Sequence, residues 1–183
     1  MSRIGLKPIP VPPGVKVKIE GSMVTVEGSK GKLFRSVHKD ISVKLEGENI
    51  IVTRPSDEST HRALHGLTRT LVANMVDGVT KGFEKLLELS GVGYRAQKAE
   101  GGITLQIGFS HPVSFAPPSG INLTVEGNTK ITVSGIDKEL VGQTAAKIRS
   151  LRRVDAYKGK GIKYAGERVK LKPGKAGKAA FKK

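Results

Sequence analysis

The sequence predicts an α+β fold made by tandem duplication, in which each copy combines antiparallel β-sheets and one α-helix around a single core, followed by a basic C-terminal extension. Three observations lead to this prediction. The chain matches itself at a constant spacing, the apolar residues of each copy change from period two to period three or four, and the basic charge accumulates at one end. At 183 residues and 37% hydrophobic composition, the chain has material for one large or two small domains.

The internal repeat has a spacing of 80 residues. Between positions 16 and 71, eleven of 56 residues are identical to the residue 80 positions later, whereas about three or four identities are expected by chance. The matches include Gly28 with Gly108 and Ile41 with Ile121. We therefore predict a first repeat at 1–82, a second repeat at 83–152, and a basic loop and tail at 153–183 packed on or beside the second repeat.

Short strands joined by glycine-containing turns begin each copy. Apolar residues alternate with polar ones over 15–19, and a second β-rich run follows at 23–26 after Gly21 and Ser22. A pair of residues containing glycine between two such runs is typical of a β-hairpin. The sequence repeats this signal at 47–49 and at 101–102, so we predict antiparallel hairpins in both copies rather than a wound parallel sheet.

One helix follows the strands in each copy. The apolar spacing of three and four predicts that a stripe on each helix packs into the core. In the first helix the stripe consists of Leu64, Leu67, Leu71 and Met75; in the second it consists of Val141, Ala145, Ile148 and Leu151. Ser56 or Asp57 is expected to cap the first helix, because short oxygen-bearing side chains accept hydrogen bonds from free backbone N–H groups.

The charge is strongly polarised along the chain. The formal net charge is +16, and residues 152–183 hold twelve Lys or Arg against only two acidic residues. Such a one-sided excess is typical of a nucleic-acid footprint rather than of an evenly solvated surface. Three alternatives stay open at this point: a disordered basic tail without a partner, a basic DNA-binding architectural protein, and an RNA-processing enzyme, which would need clustered acids or a histidine-centred site.

Composition excludes several other classes. The absence of Cys excludes disulfide scaffolds, thiolate zinc sites and thiol catalysis. The apolar runs are far shorter than the ~20 residues of a membrane span, and residues 1–8 lack the apolar core of a secretory signal. We therefore expect no membrane partner and a cytoplasmic location.

The sequence offers no convincing active site. His61 and His65 share one face of the first helix, but no third ligand is apparent, so we expect a solvated or partner-facing surface and no metal. Residues 91–96 match a dinucleotide fingerprint by letter, yet a strand pattern follows where a helix is required. We predict no catalytic residue, no cofactor and no small-molecule substrate.

The segment 154–164 is the strongest candidate for a functional site. Its lysines supply charge for phosphates, its glycines permit positive φ and close backbone approach, and its tyrosines are suited to stack on exposed bases. This combination favours irregular RNA over a regular major groove; the alternative is a basic surface loop whose tyrosines anchor it to the core. The predicted RNA-binding residues are Arg149, Arg152, Arg153, Tyr157, Lys158, Gly159, Lys160, Gly161, Lys163, Tyr164, Lys170, Lys172 and Lys175.

These residues also resemble a known family. The run 157–162 after Arg152 and Arg153 is similar to the hallmark of the large-subunit ribosomal protein six family. Residues 1–5, 91–96 and 108–112 and the duplication itself resemble further features of its bacterial members. One departure is Val154-Asp155-Ala156, where the family usually has Pro-acid-Pro, so we expect a loop that is less preset.

The resemblance implies a structural component of the large ribosomal subunit. It implies two similar units, and binding to large-subunit ribosomal RNA mainly through the C-terminal half, near the sarcin-ricin loop and the region where translation factors dock. It also implies neighbouring ribosomal proteins as partners, a ribosome-bound location in the cytoplasm, and neither enzymatic activity nor a cofactor.

Overall fold

The structure, a computed structural model, describes residues 4–174. Thirteen strands and two helices occur in this range. In chain order they are β1 (Ile9–Pro10), β2 (Lys16–Glu20), β3 (Met23–Gly28), β4 (Gly31–Ser36), β5 (Ser42–Glu46), β6 (Asn49–Thr53), α1 (Ser59–Thr80), β7 (Phe83–Ser90), β8 (Arg95–Ala99), β9 (Gly102–Gln106), β10 (Val113–Phe115), β11 (Ile121–Glu126), β12 (Lys130–Gly135), α2 (Lys138–Leu151) and β13 (Gly161–Tyr164).

The chain divides into two compact units, one formed by residues up to 83 together with 136–138 and the other by the remainder. The first unit contains the sheets β2-β3-β4 and β1-β6-β5. The second contains β8-β9-β10 and the four-stranded sheet β11-β12-β7-β13. The sheets β2-β3-β4 and β8-β9-β10 and the pairs β1–β6, β5–β6, β11–β12 and β7–β13 are antiparallel, and β7 to β12 repeat the order of β1 to β6. The predicted α+β duplication is thus confirmed.

The spacing of 80 residues is visible in two corresponding turns of the structure. Gly47 and Gly127 each follow the last residue of a strand, β5 and β11, with φ of 60° and 59°. Glycine adopts this left-handed conformation without the steric cost of a Cβ atom. The second turn is one residue longer, because Glu46 pairs with Asn49 whereas Glu126 pairs with Lys130. Because of this additional residue, Lys130 at the start of β12 takes the place that Asn49 has at the start of β6.

The two copies differ most at their ends. The first unit ends in a helix of 22 residues, whereas α2 has only 14 and stops at Leu151. The chain then forms a loop and returns as β13, which pairs along β7 with Ile162 opposite Leu89. Ile162 is fully buried. The second unit therefore has an additional edge strand, and this strand fixes the end of the basic loop.

The structure agrees only in part with the apolar stripes predicted for the two helices. In α2, Val141, Ala145 and Ile148 are buried as expected, and Leu151 is half-buried. In α1, Met75 is buried, but Leu64 and Leu71 are half-buried and Leu67 is 55% exposed. The buried face of α1 is rotated about the helix axis relative to the predicted stripe, and it includes the polar side chains of His65 and Thr68. The buried side chains of α1 are His65, Thr68, Val72, Met75, Val76 and Val79.

The predicted cap of α1 is wrong. The helix starts at Ser59 with Glu58 as its N-cap residue and without a capping side-chain hydrogen bond. Asp57 instead accepts hydrogen bonds from Arg54 Nη2 at 2.6 Å and Nε at 3.0 Å. The hydrogen bond and the charge of Arg54 lower the pKa of Asp57. Ser56 Oγ lies 2.7 Å from His61 Nδ1, so both candidate caps have other partners.

His65 is a core residue, which corrects the expectation of an exposed histidine pair. Its side chain is 1% exposed, and Nε2 lies 2.8 Å from the carbonyl oxygen of Val52. Nδ1 lies 2.7 Å from Arg54 Nη1 and accepts its hydrogen bond, because a guanidinium can only donate. Gly5 packs against the ring, where a Cβ atom would overlap it. Both ring nitrogens are thus satisfied inside the protein.

Replacement of His65 by Ala should destabilise the first unit by about 2–4 kcal/mol, because it leaves a cavity and removes one buried and one partly buried hydrogen bond. The measurement is the free energy of unfolding in urea. His61→Ala is the matched control on the same helix; since His61 is only half-buried, we expect a change within about 1 kcal/mol. Equal effects of the two substitutions would contradict the core role of His65.

Candidate nucleic-acid interface

The loop between α2 and β13 is held in shape by Asp155. The backbone N–H of Asp155 donates to the carbonyl oxygen of Lys160 at 2.8 Å, and its Oδ2 accepts the N–H of Lys158 at 2.7 Å. The N–H of Gly159 donates to the carbonyl of Asp155 at 3.1 Å. These bonds constrain the loop where the two prolines are missing; that it is less preset than a loop with both prolines stays a prediction.

Gly159 and Gly161 adopt positive φ, as predicted, with values of 68° and 146°. Their surroundings differ from the expectation of two glycines open to a phosphate. Gly161 is buried, and a Cβ atom there would lie 2.6 Å from Cα of Val154. The close approach at Gly161 is therefore between two segments of this chain. The N–H of Ile162 donates to the carbonyl of Arg152 at 2.9 Å and closes the base of the loop.

A concave surface between this loop and the rest of the second unit encloses a volume of about 610 Å³. Arg152, Arg153 and Lys158 are exposed on it, and Lys160 is half-buried. None of these four cations forms an ion pair with a residue that the structure describes. We call this surface the basic concavity. Its lining residues are Tyr94, Leu151, Arg152, Arg153, Asp155, Lys158 and Lys160.

Two aromatic residues that we did not predict complete the site around Arg152. Tyr94 is 8% exposed, and its hydroxyl oxygen accepts a hydrogen bond from Arg152 Nε at 3.3 Å. The guanidinium carbon of Arg152 lies 5.3 Å from the ring centre of Phe109. The Phe109 ring is in turn stacked with His111, at 6.2 Å between centroids and 17° between planes.

Glycines in two sequence motifs were the available signal for these aromatics. Gly91 has a φ of 135°, and a Cβ atom there would touch both Lys160 and the Tyr94 ring. A Cβ atom at Gly108 would lie 3.1 Å from the Tyr94 hydroxyl oxygen. The runs 91–96 and 108–112, identified from the sequence only as resemblances, therefore lie beside the loop that bears the lysines.

The two tyrosines of the loop have different environments. Tyr157 is 60% exposed, so its ring is accessible for stacking. Tyr164 is half-buried, with the Arg149 guanidinium carbon 5.2 Å and Lys85 Nζ 5.8 Å from its ring centre. Tyr164 thus contacts cations of the protein itself, as expected if it anchors the loop to the core. The exposed Tyr157 ring fits the stacking prediction instead.

Two of the predicted cations have acidic partners within the unit. Arg149 Nη2 lies 2.6 Å from Glu167 Oε1, and Lys163 Nζ lies 3.1 Å from Glu88 Oε2. Glu167 also accepts the N–H of Tyr164 through Oε2 at 3.0 Å. This backbone hydrogen bond, followed by the hydrogen bond from Arg149, lowers the pKa of Glu167. Arg149 and Lys163 therefore connect α2, β7 and β13.

The remaining candidates lie on the segment after β13. Lys170 and Lys172 are exposed, and the N–H of Lys172 donates to the carbonyl of Ala156 at 2.7 Å. This hydrogen bond brings the segment to the side of the loop. Lys175 lies outside the described residues.

The described residues give no support to a metal site. Within 4–174, no three His, Asp or Glu side chains gather into a group that could hold a metal ion. Residues 91–96 lead into the strand β8 and not into a helix, so the dinucleotide fingerprint fails on its context as predicted.

Neither helix within 4–174 combines the length and the apolarity that crossing a membrane requires.

The fold and the site define the class of protein: a duplicated α+β protein that carries a basic concavity, lined by one buried tyrosine, at the end of its second copy. Comparison with known proteins identifies the family. A model of the family described as Ribosomal protein L6 matches residues 11–82 and 90–165, that is, each copy once. The chain belongs to this family, which confirms the resemblance found in the sequence.

The curated relatives match along their whole length. The chain is 58% identical over 182 residues to the large ribosomal subunit protein uL6 of Caldicellulosiruptor bescii, with 100% of both chains covered. It is 57% identical over 178 residues to the protein of the same name from Halalkalibacterium halodurans, covering 97% of this chain and 100% of the relative. The uL6 protein of Moorella thermoacetica is 56% identical over 183 residues, with both chains fully covered.

Replacement of Glu167 by Gln should destabilise the second unit at neutral pH but not in acid. Because folding lowers the pKa of Glu167 from its ordinary 4.5, the carboxylate stabilises the fold fully above that value. This contribution is lost as the pH falls through the lowered pKa of the folded state. Urea unfolding of the wild type and the variant from about pH 7 to about pH 3 should therefore show a difference that vanishes in acid.

The control for this prediction is Glu126→Gln on β11, an exposed carboxylate. We expect its unfolding free energy to follow that of the wild type across the same pH range. A Glu167→Gln difference that stays constant down to the lowest pH would show that the ionised carboxylate contributes no stability.

Proposed function

We propose that this protein is a structural component of the large ribosomal subunit that binds large-subunit ribosomal RNA, mainly through its C-terminal half. The observation that carries the proposal is the basic concavity, where four cations without acidic partners among the described residues surround one space. Family membership and the names of its relatives support the ribosomal part of the proposal.

The shape and chemistry of the basic concavity favour irregular RNA as the ligand. A regular duplex is usually read by a helix or a two-stranded ribbon that enters a groove. Here the cations surround a concave space, and the exposed Tyr157 ring lies on the same loop. Such a surface fits a protruding phosphate backbone or an unpaired base, which single-stranded loops and bulges of RNA provide.

The proposal extends to the surroundings of the protein. By analogy with the family, the site of binding is near the sarcin-ricin loop and the region where translation factors dock, with other ribosomal proteins as neighbours. The protein then resides on the ribosome in the cytoplasm. It contributes to the particle by binding and not by catalysis, and no cofactor takes part.

Sedimentation of a cell lysate through a magnesium-containing gradient tests the proposal. We expect the protein to run with the large subunit and to stay there at moderate salt. Recovery with chromosomal DNA would favour the architectural DNA-binding alternative, and recovery at the top of the gradient would contradict a ribosomal role.

Replacement of Lys158 by Ala should reduce the salt dependence of RNA binding. If Lys158 neutralises one phosphate, the slope of log affinity against log salt should decrease in magnitude by roughly 0.7–1. The measurement is filter binding of the full chain to large-subunit RNA at several salt concentrations. Lys44→Ala, which removes the same charge from exposed β5 in the first unit, should leave the slope unchanged. Equal slopes for all three proteins would contradict the phosphate contact.

Replacement of Tyr157 by Ala should weaken binding by about 1–3 kcal/mol without changing the salt slope, because stacking involves no net charge. The same filter-binding titration measures both quantities. The thermal unfolding of the variant should match the wild type, since this ring is largely exposed. A variant that loses stability and retains affinity would show that Tyr157 anchors the loop instead.

A further inference from the structure

We infer that Arg152 is a fixed guanidinium fork that recognises one pair of acceptor atoms in the RNA, and that Tyr94 and Phe109 are the positioning residues that fix it. This inference rests on the proposed function and specifies its ligand chemistry. Lys158, in contrast, is exposed, and its ammonium group has no described partner that would fix its orientation.

Three constraints act on Arg152. Its backbone is held at the end of α2, where its carbonyl oxygen accepts the N–H of Ile162. Its Nε donates to the hydroxyl of Tyr94 at 3.3 Å. Its guanidinium lies 5.3 Å from the ring centre of Phe109, within the range of a cation–π contact. Together these contacts restrict the long side chain to few conformations.

The positioning residues are themselves held in place. Tyr94 is almost completely buried, and Gly91 and Gly108 lie against its ring and hydroxyl, where larger side chains would displace it. Phe109 stacks with His111 in the same turn. Arg152 is the only described side-chain hydrogen-bond partner of the Tyr94 hydroxyl, which would be destabilising if it were buried without a partner. The same hydrogen bond therefore satisfies Tyr94 and orients Arg152.

Fixing Nε leaves the two Nη groups for a ligand, because no described residue accepts a hydrogen bond from them. Two parallel N–H groups match two acceptors side by side. In RNA this pair occurs as two non-bridging oxygens of one phosphate, or as O6 and N7 of a guanine. Lysine carries the same charge but cannot form this fork.

The first test compares arginine with lysine at two positions in the full chain, using large-subunit RNA at a fixed salt concentration. Arg152→Lys should lower the affinity by about tenfold or more, with an unchanged salt slope. Arg62→Lys is the matched control, because Arg62 is exposed on α1 of the first unit and does not line the basic concavity. It should bind the RNA as tightly as the wild type.

The second test removes the positioning contacts and keeps every charge. Tyr94→Phe loses the hydroxyl that holds Nε, and Phe109→Leu loses the ring under the guanidinium; each should lower the affinity severalfold. Phe34→Leu is the matched control: it removes an exposed ring from β4 of the first unit, away from the basic concavity, and should bind like the wild type. Thermal unfolding of all variants identifies any that lose affinity through loss of structure; for Tyr94→Phe we expect an unchanged fold, since only one oxygen is removed.

RNA transcribed with 7-deazaguanine distinguishes the two sources of acceptors. If Arg152 reads a guanine, this RNA should bind more weakly to the wild type but equally to Arg152→Lys. If it holds a phosphate, neither protein should respond to the modified base, and the effect of Arg152→Lys should remain. Either result supports recognition of two acceptor atoms by the Arg152 guanidinium, and the comparison identifies which pair it is.

The inference and the proposed function fail in different ways. If Arg152→Lys binds the RNA as tightly as the wild type, Arg152 acts only as a point charge. This result would overturn the inference and leave the proposed function intact. A wild-type chain that does not bind large-subunit RNA would overturn the proposed function, and the inference with it.

Discussion

The antiparallel pairing of β13 with β7 is the interaction on which the candidate interface depends. It returns the chain to the second sheet after α2, buries Ile162 and sets both ends of the nine residues between Leu151 and Gly161. The Arg149–Glu167 and Lys163–Glu88 pairs reinforce the same join. Without this strand the basic residues would lie on a free tail; with it, four of them surround one concave surface.

The lengths of the corresponding strands account for the presence of β13 in the second copy alone. In the first copy the sheet ends at β1, a strand of only two residues, and the long α1 completes the unit. In the second copy β7 has eight residues and α2 is shorter. A longer strand exposes more backbone hydrogen-bonding groups at the sheet edge, and an additional strand satisfies them. The two copies therefore share one arrangement of strands and helix and differ at this sheet edge.

The fold was predictable from the sequence because its signals are local. Alternation of apolar residues, glycines at turns and a spacing of 80 residues are all visible in the chain itself. The site was predictable only in part. The lysines and glycines of the loop are neighbours in sequence, but Tyr94 and Arg152 are 58 positions apart and meet only through the tertiary structure. For the same reason, the carboxylates that engage Arg149 and Lys163, and the burial of His65 in place of Leu67, could not be read from spacing alone.

The hydrogen bonds around Asp155 have a consequence for the kinetics of assembly. They join residues of one short loop to each other, so these bonds need no partner in order to form. The conformational entropy of these residues is then already lost before the encounter, and a partner need not wait for the loop to order. Association with such a preformed surface is limited by diffusion and orientation, and differences among variants of its side chains appear mainly in the lifetime of the complex.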